Sequence, residues 1–194
     1  SHRGGAPEGG GEHARVSRPF LDLGDGVEVR ILEPEDAEEI FALVDADRER
    51  LRAWMPWVDG STSPADPRAF IEGERGSDGL DALGIYVDAS YAGGIGLRPD
   101  AQHGDAELGY WIGSAHEGRG FVTRACRALV DHAFDELGLH RVTIRVAPEN
   151  TRSRAIPERL GFTEEGLMRE AGRTGLGYQD LVVYGLLDRE RTSS

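Results

Sequence analysis

The stretch "AHEGRGFVTRACRALVDHAFDEL", Ala115 to Leu137, decides how the rest of the chain is read. Its apolar residues Cys126, Leu129, Val130, Ala133, Phe134 and Leu137 fall at helical spacings of three and four. That pattern puts them on the buried face of an α-helix, and Gly138 follows where a left-handed C-cap is wanted. The helix opens on Gly118, Arg119 and Gly120. A helix start leaves backbone N–H groups unpaired and carries the positive end of the dipole, so a glycine turn there lets the backbone approach an anion. A purely structural strand-to-helix turn has the same look. Two well-known phosphate loops are excluded: no G-K-[ST] follows, and the dinucleotide fingerprint needs glycine at position 123, where Thr123 stands.

Working outward, "AELGYWIG" (106–113) reads as a strand leading into the turn, and "HRVTIRVAP" (140–148) as the strand after the helix. "NTRSRAIPERLGF" (150–162) follows as a short helix, then two closing strands that include "GYQDLVVYGLL" (177–187). Upstream, "VEVRIL" (27–32) alternates as a strand. "EPEDAEEIFALV" (33–44) starts a helix on Pro34 and acidic residues, which the dipole favours there. "RERLRAWMPWVDG" (48–60) is a second short helix stopped near Pro56, and "PADPRAFIEGERG" (64–76) a third. "ALGIYVDA" (82–89) and "YAGGIGLRP" (91–99) make a hairpin turning at Ala89 and Ser90.

This alternation predicts one α/β domain over residues 20–190, with short tails at 1–19 and 191–194. The first tail is rich in Gly, Pro and charge, and Ser1 and His2 are open to reading as a tag remnant. The glycine turn then sits at the carboxyl end of a strand, where open α/β sheets bind ligands.

Composition sets the limits. A formal net charge of −13, from 35 acidic and 22 basic side chains, repels polyanions. It argues against nucleic acid and against an anionic membrane surface. Nothing approaches the roughly eighteen unbroken apolar residues of a membrane span. Cys126 is the only cysteine, and its place in the helical stripe reads as core. No secretory leader is visible, so the expected location is the cytoplasm. There is no lysine, so no side-chain amine exists for self-acylation. His103, His116, His132 and His140 lack metal-ligand spacing, and no metal is expected.

Three segments, "ELGYWIG", "HEGRGFVTRACRALVDHAF" and "LHRVTIRVAPENTRSRAIPERLGFTEEG", together resemble the GNAT family of acyl-CoA-dependent N-acyltransferases, and within it the RimJ/RimL branch. The likeness extends from "VRILEPEDAEEI" to the closing strand. The resemblance implies a single GNAT-type domain with a mixed, mostly antiparallel central sheet, splayed at the acyl-CoA site and flanked by helices. It implies acetyl-CoA or another acyl-CoA as cofactor. The family signature [Q/R]-x-x-G-x-[G/A] falls here on Glu117, Gly118, Arg119, Gly120, Phe121 and Val122, with Thr123 next. Two positions depart from it: Glu117 is acidic, and Val122 replaces a small residue. Backbone N–H groups survive both changes, but a carboxylate beside a diphosphate costs affinity unless it turns to solvent or pairs with Arg119.

By the same resemblance, the pantetheine arm would pair with the free edge of Tyr110, Trp111 and Ile112 as an added strand, and Asn150, Arg152 and Ser153 would lie across the cofactor. A backbone N–H in that edge would steady charge on the thioester oxygen. Asn150 has an equally good reading as a helix N-cap.

The chemistry asks for a neutral amine, a route for its proton, and support for the departing thiolate. An α-amine, with a pKa of about 7.7 to 8.0, supplies far more free base at neutral pH than a lysine at about 10.4. Glu107 is the candidate base. Where many family members carry a tyrosine in the short helix, this chain has Pro157, and the resemblance to the RimJ/RimL branch implies Ser153, one turn earlier, as the candidate donor to the thiolate. Pro157 is expected to kink or loosen that helix. Trp54 and Trp57, with Tyr178 and Asp180, are candidates for a wall of the acceptor pocket and a carboxylate, that of Asp180, to hold its ammonium. The expected acceptor is a protein N-terminus or peptide, and a homodimer is left open. Alternatives are a small-molecule amine, a succinyl donor, or a catalytically idle acyl-CoA-binding module.

Overall fold

The computed structural model describes residues 20–75 and 80–191; the tail expected at 1–19 and residues 192–194 lie outside them. Thirteen regular elements matter for the site. The two-residue strand β1 (Leu21–Asp22) and β2 (Val27–Ile31) lead to helices α1 (Ala37–Ala46), α2 (Arg48–Leu51) and α3 (Ala65–Glu74). Strands β3 (Leu83–Val87), β4 (Ser90–Asp100) and β5 (Asp105–Ile112) precede the long helix α4 (Phe121–Asp135). Then come β6 (Arg141–Val146), α5 (Thr151–Arg159), β7 (Thr163–Thr174) and β8 (Gly177–Leu187).

All eight strands share one sheet in the order β1-β2-β3-β4-β5-β6-β8-β7, and every neighbour pair but one is antiparallel. The exception, β5 with β6, is parallel because α4 carries the chain back across the sheet between them. That pair is also short. It runs only from Asp105↔Arg141 to Glu107↔Thr143, whereas β5 goes on pairing with β4 as far as Gly93↔Ile112, and β6 with β8 as far as Val146↔Val182. Beyond Glu107 and Thr143 the two strands diverge, which is the splay the resemblance implied. Gly113 N–H donates to the Ala92 carbonyl at 2.8 Å, so Gly113 faces β4; by alternation the main-chain groups of Leu108, Tyr110 and Ile112 face the gap.

Around β3 and β4 the sheet buries both faces. On one, α4 lays Phe121, Val122, Ala125, Cys126, Leu129, Val130, Ala133 and Phe134 against Ile85, Leu97, Leu108 and Val142. Each large aliphatic side chain hidden there contributes roughly 1.5–3 kcal/mol. Cys126 is fully buried, and burial pushes its thiol up, as a core cysteine requires. On the other face Ile40, Val44, Leu51 and Ile71 of α1, α2 and α3 meet Tyr86 and Tyr91. The strand β3, covered on both sides, is accordingly buried along its whole length.

Some details differ from the sequence reading. Leu137, expected in the buried stripe, is 38% exposed, because α4 stops at Asp135. Gly138 then turns the chain at φ 63°, and Leu139 N–H reaches back to the Ala133 carbonyl at 3.0 Å. The β3–β4 turn falls on Asp88 and Ala89, one residue earlier than expected, with φ 49° and 66°. Two positive φ values in a two-residue loop match the twist of the flanking strands. Strand β1 is too short to leave an alternating pattern. Arg191, assigned to the second tail, is tied to α4 through Asp131 and Asp135 and lies over the Phe134 ring. Among the described residues no helix is long and apolar enough to cross a membrane.

Candidate active site

The site grows from the gap between β5 and β6. At one end stands the turn before α4, where Gly118 and Gly120 adopt φ 70° and 77°, and a Cβ on either would meet open space. These conformations suit glycine and would strain other residues. Among the described residues the N–H groups of Gly118 through Thr123 have no hydrogen-bond partner, and they stand at the positive end of a 15-residue helix. Phe121 and Val122 turn their side chains into the core, so the Val122 departure leaves the turn's surface unchanged.

The acidic departure has a different solution from either of the two expected. Glu117 neither faces solvent nor pairs with Arg119, which lies over the Phe121 ring at 4.7 Å. Its carboxylate is held by Arg50 at 2.7 Å and by Arg152. Arg50 also donates to the Ile112 carbonyl and to Asp47, each at 2.7 Å, and Asp47 accepts the N–H and hydroxyl of Ser114 at 2.5 and 2.7 Å. Burial tends to raise the Asp47 pKa, but bonds from Arg50 and Ser114 outweigh it and hold this carboxyl below its usual value. Helix α2 is thereby latched to the glycine turn, and two guanidiniums neutralise Glu117.

Across the gap, α5 begins at Asn150, whose Oδ1 accepts Ser153 N–H at 3.3 Å, so the N-cap reading holds. Asn150 and Ser153 also line the cleft that opens from the gap. The helix runs through Pro157 to Arg159 without a break, against the expected loosening. Proline has no N–H for the carbonyl four residues back, which is that of Ser153. That carbonyl instead accepts the Tyr110 hydroxyl at 2.9 Å. Burial pushes the Tyr110 phenol well above its ordinary pKa, so the group stays a neutral donor.

The cleft has a volume of about 820 Å³ and lies on the α1–α3 side of the sheet. Trp54 and Trp57 line it, and Trp111 packs against Trp57 and Tyr91 with ring centroids 5.6 and 5.9 Å away. Gly94 makes room for it: a Cβ there would stand 2.3 Å from the indole nitrogen. Glu107 sits where β5 and β6 part. Arg98 holds one of its oxygens at 3.2 Å, Arg145 holds the other, and Arg98 also bonds Asp81 at 3.1 Å.

Tyr178 and Asp180 do not line the cleft; Gln179 and Leu181 do. Tyr178 is 67% exposed beneath Arg173, and Asp180 accepts the Glu170 N–H at 2.8 Å. Alternate strand residues face opposite ways, so the expectation chose the wrong parity of β8. Arg50, Arg98 and Arg145 went unselected as well. Arg98 and Arg145 flank Glu107 on adjacent strands, a relation that a correct register would reveal, whereas Arg50 meets Glu117 across 67 positions with no local signal.

Comparison with known proteins agrees with this geometry. Residues 27–163 match the family described as acetyltransferase (GNAT) domain. The putative ribosomal N-acetyltransferase YdaF of Bacillus subtilis (strain 168) is 38% identical over 174 residues, covering 87% of this chain and 94% of its own. Among solved structures, Mycobacterium smegmatis RimJ in complex with CoA-disulfide has a TM-score of 0.79 at 28% identity, over 87% of this chain and 85% of that one. The microcin C7 self-immunity acetyltransferase MccE, in complex with acetyl-CoA and AMP, also has a TM-score of 0.79, at 25% identity over 85% and 94%. The chain belongs to the GNAT acetyltransferase family and is an N-acetyltransferase.

Proposed function

We propose that this enzyme transfers the acetyl group of acetyl-CoA to the α-amine of a protein or peptide. One observation carries the reading: a gap in the sheet with unpaired N–H groups of a helix start at one end and an aromatic-walled cleft at the other. The residues fit the cofactor. The turn from Gly118 to Thr123 offers N–H groups and a helix dipole to a diphosphate, and Leu108, Tyr110 and Ile112 offer a strand edge to an extended amide-bearing arm. Arg50 and Arg152 keep Glu117 from repelling the anion. Acetyl-CoA supplies an acyl carbon already activated as a thioester.

The protein's own groups then have three tasks. Main-chain N–H groups of β5 facing the gap orient and polarise the carbonyl. The Ser153 hydroxyl donates a hydrogen bond to the departing sulfur, which suits a group too weakly acidic to deliver a proton. Glu107, with one lone pair of each oxygen engaged by Arg98 or Arg145, retains others for a water that takes the proton from the amine. Those same pairings favour acetyl over succinyl, because a second carboxylate on the donor would have to compete with Glu107 for both guanidiniums.

A protein acceptor is supported by the ribosomal assignment in the name of YdaF and by an aromatic-walled cleft of about 820 Å³. A cytoplasmic enzyme without nucleic-acid or membrane partners fits the acidic composition, and a homodimer is compatible with it. The test is a set of matched substrates: peptides with free or blocked N-termini, a lysine side chain, and a polyamine such as spermidine, followed by thiol release and mass spectrometry. Faster reaction at the free N-terminus is expected at neutral pH. Preference for the polyamine or the lysine overturns the reading in favour of a small-molecule or side-chain amine.

A further inference from the structure

We infer that the side chain of Tyr110 is a positioning residue for the transfer step, acting as a strap that stands in for the backbone hydrogen bond Pro157 removes and so fixes Ser153 across the gap from β5. The inference rests on the reading of Ser153 given above. Pro157 lies inside α5, so the Ser153 carbonyl loses its partner four residues ahead, and the proline ring crowds that same carbonyl away from the helix axis. That carbonyl accepts the Tyr110 hydroxyl at 2.9 Å.

Tyr110 belongs to β5 and Ser153 to the helix that follows β6, so the bond joins the two lips of the splay three residues beyond the last β5–β6 pair, Glu107↔Thr143. The bond is well anchored at both ends. The Tyr110 ring packs on the main core cluster beneath α4, and Ser153 N–H is held by Asn150. With its N–H and its carbonyl both secured, the Ser153 backbone is held at both ends, and its Cα–Cβ bond, from which the hydroxyl reaches the sulfur, is aimed in one direction. A donor in the helix itself would hold the carbonyl along α5 but would not tie it to β5, so the proline and the tyrosine work as a pair.

The strap predicts an interaction between two positions that lie 47 residues apart. Tyr110→Phe keeps the ring and its packing but removes the donor, and it should lower kcat about five- to tenfold, the loss of one buried hydrogen bond, with the KM for acetyl-CoA changed less than about twofold. Pro157→Ala returns an N–H to the helix. In that background the same Tyr110→Phe change should cost less than about twofold, because the helix then takes up the Ser153 carbonyl and the tie to Tyr110 is already lost. Steady-state kinetics on the four proteins measure the coupling, and melting curves confirm that each is folded.

An equal loss in both backgrounds, no loss in either, or a loss confined to the KM for acetyl-CoA overturns the strap. Ser153→Ala separates the two layers of the argument. If it leaves turnover unchanged while the Tyr110–Pro157 coupling is present, the hydroxyl's role fails and the strap stands. If it lowers turnover while the coupling is absent, the strap fails and the hydroxyl's role stands.

Discussion

Glu107 is where residue type and surroundings pull in different directions. A carboxylate at the vertex of the splay is well placed to accept a proton, yet both its oxygens already hold arginine. If it works through a water, Glu107→Gln should lower turnover by about 10²-fold or more below the amine's own pKa, and activity should recover as pH rises and the substrate deprotonates unaided. A pH–rate profile from pH 6 to 9 measures this. Equal losses at every pH would reassign Glu107 to holding Arg98 and Arg145 in the cleft wall. The same residue shows what a chain read in one dimension reveals. Its type and place in "ELGYWIG" marked it, but its two partners lie on neighbouring strands and left no trace beside it. Tyr178 and Asp180 failed for a related reason, since period-two logic gives two faces and only the register tells which one is inside.

Elements here are held to one another by ion pairs that bridge long sequence distances. The latch of α2 onto the glycine turn depends on Asp47, whose pKa is lowered in the folded protein. A depressed carboxyl pKa stabilises the fold above the unfolded value, about 3.9, and the contribution is lost as pH falls through the folded value. Asp47→Asn should therefore cost about 2 kcal/mol at neutral pH, a drop of roughly 4–8 °C in Tm, and the gap from the parent should close as pH falls below about 4. Thermal melts of both proteins between pH 7 and 2 check it; a gap independent of pH would mean that shape, not charge, makes the latch. Helix α4 was legible because eight of its 15 residues are buried on one stripe, whereas α2, expected to run toward Pro56, is only four residues long, too short for a period to mark its end. Its importance lies in Arg50 and Asp47, which reach residues more than sixty positions away.

At the scale of the whole molecule, the order of elements from β2 onward followed from the alternation of strand and helix signals. The splay did not follow from it. It was reached only through the likeness of three segments to a known family, since nothing in the composition of "HRVTIRVAP" says where its pairing ends. That early ending divides the sheet mechanically. Five strands, β1 to β5, and three, β6 to β8, are joined along the ladder by three residue pairs alone. The molecule is thus two plates meeting at a seam, and a molecule that fits the seam adds a strand where none was synthesised. Amide hydrogens of Tyr110 and Ile112, beyond the last β5–β6 pair, should exchange with solvent far faster than those of β4, and should slow about tenfold or more once acetyl-CoA is bound. Hydrogen exchange followed by mass spectrometry reads this directly; equal protection on both strands without the cofactor would mean that the seam is closed in solution. The substrate then acts as a rivet as well as a reagent, and the protein should be hardest to pull apart at the moment it is ready to react.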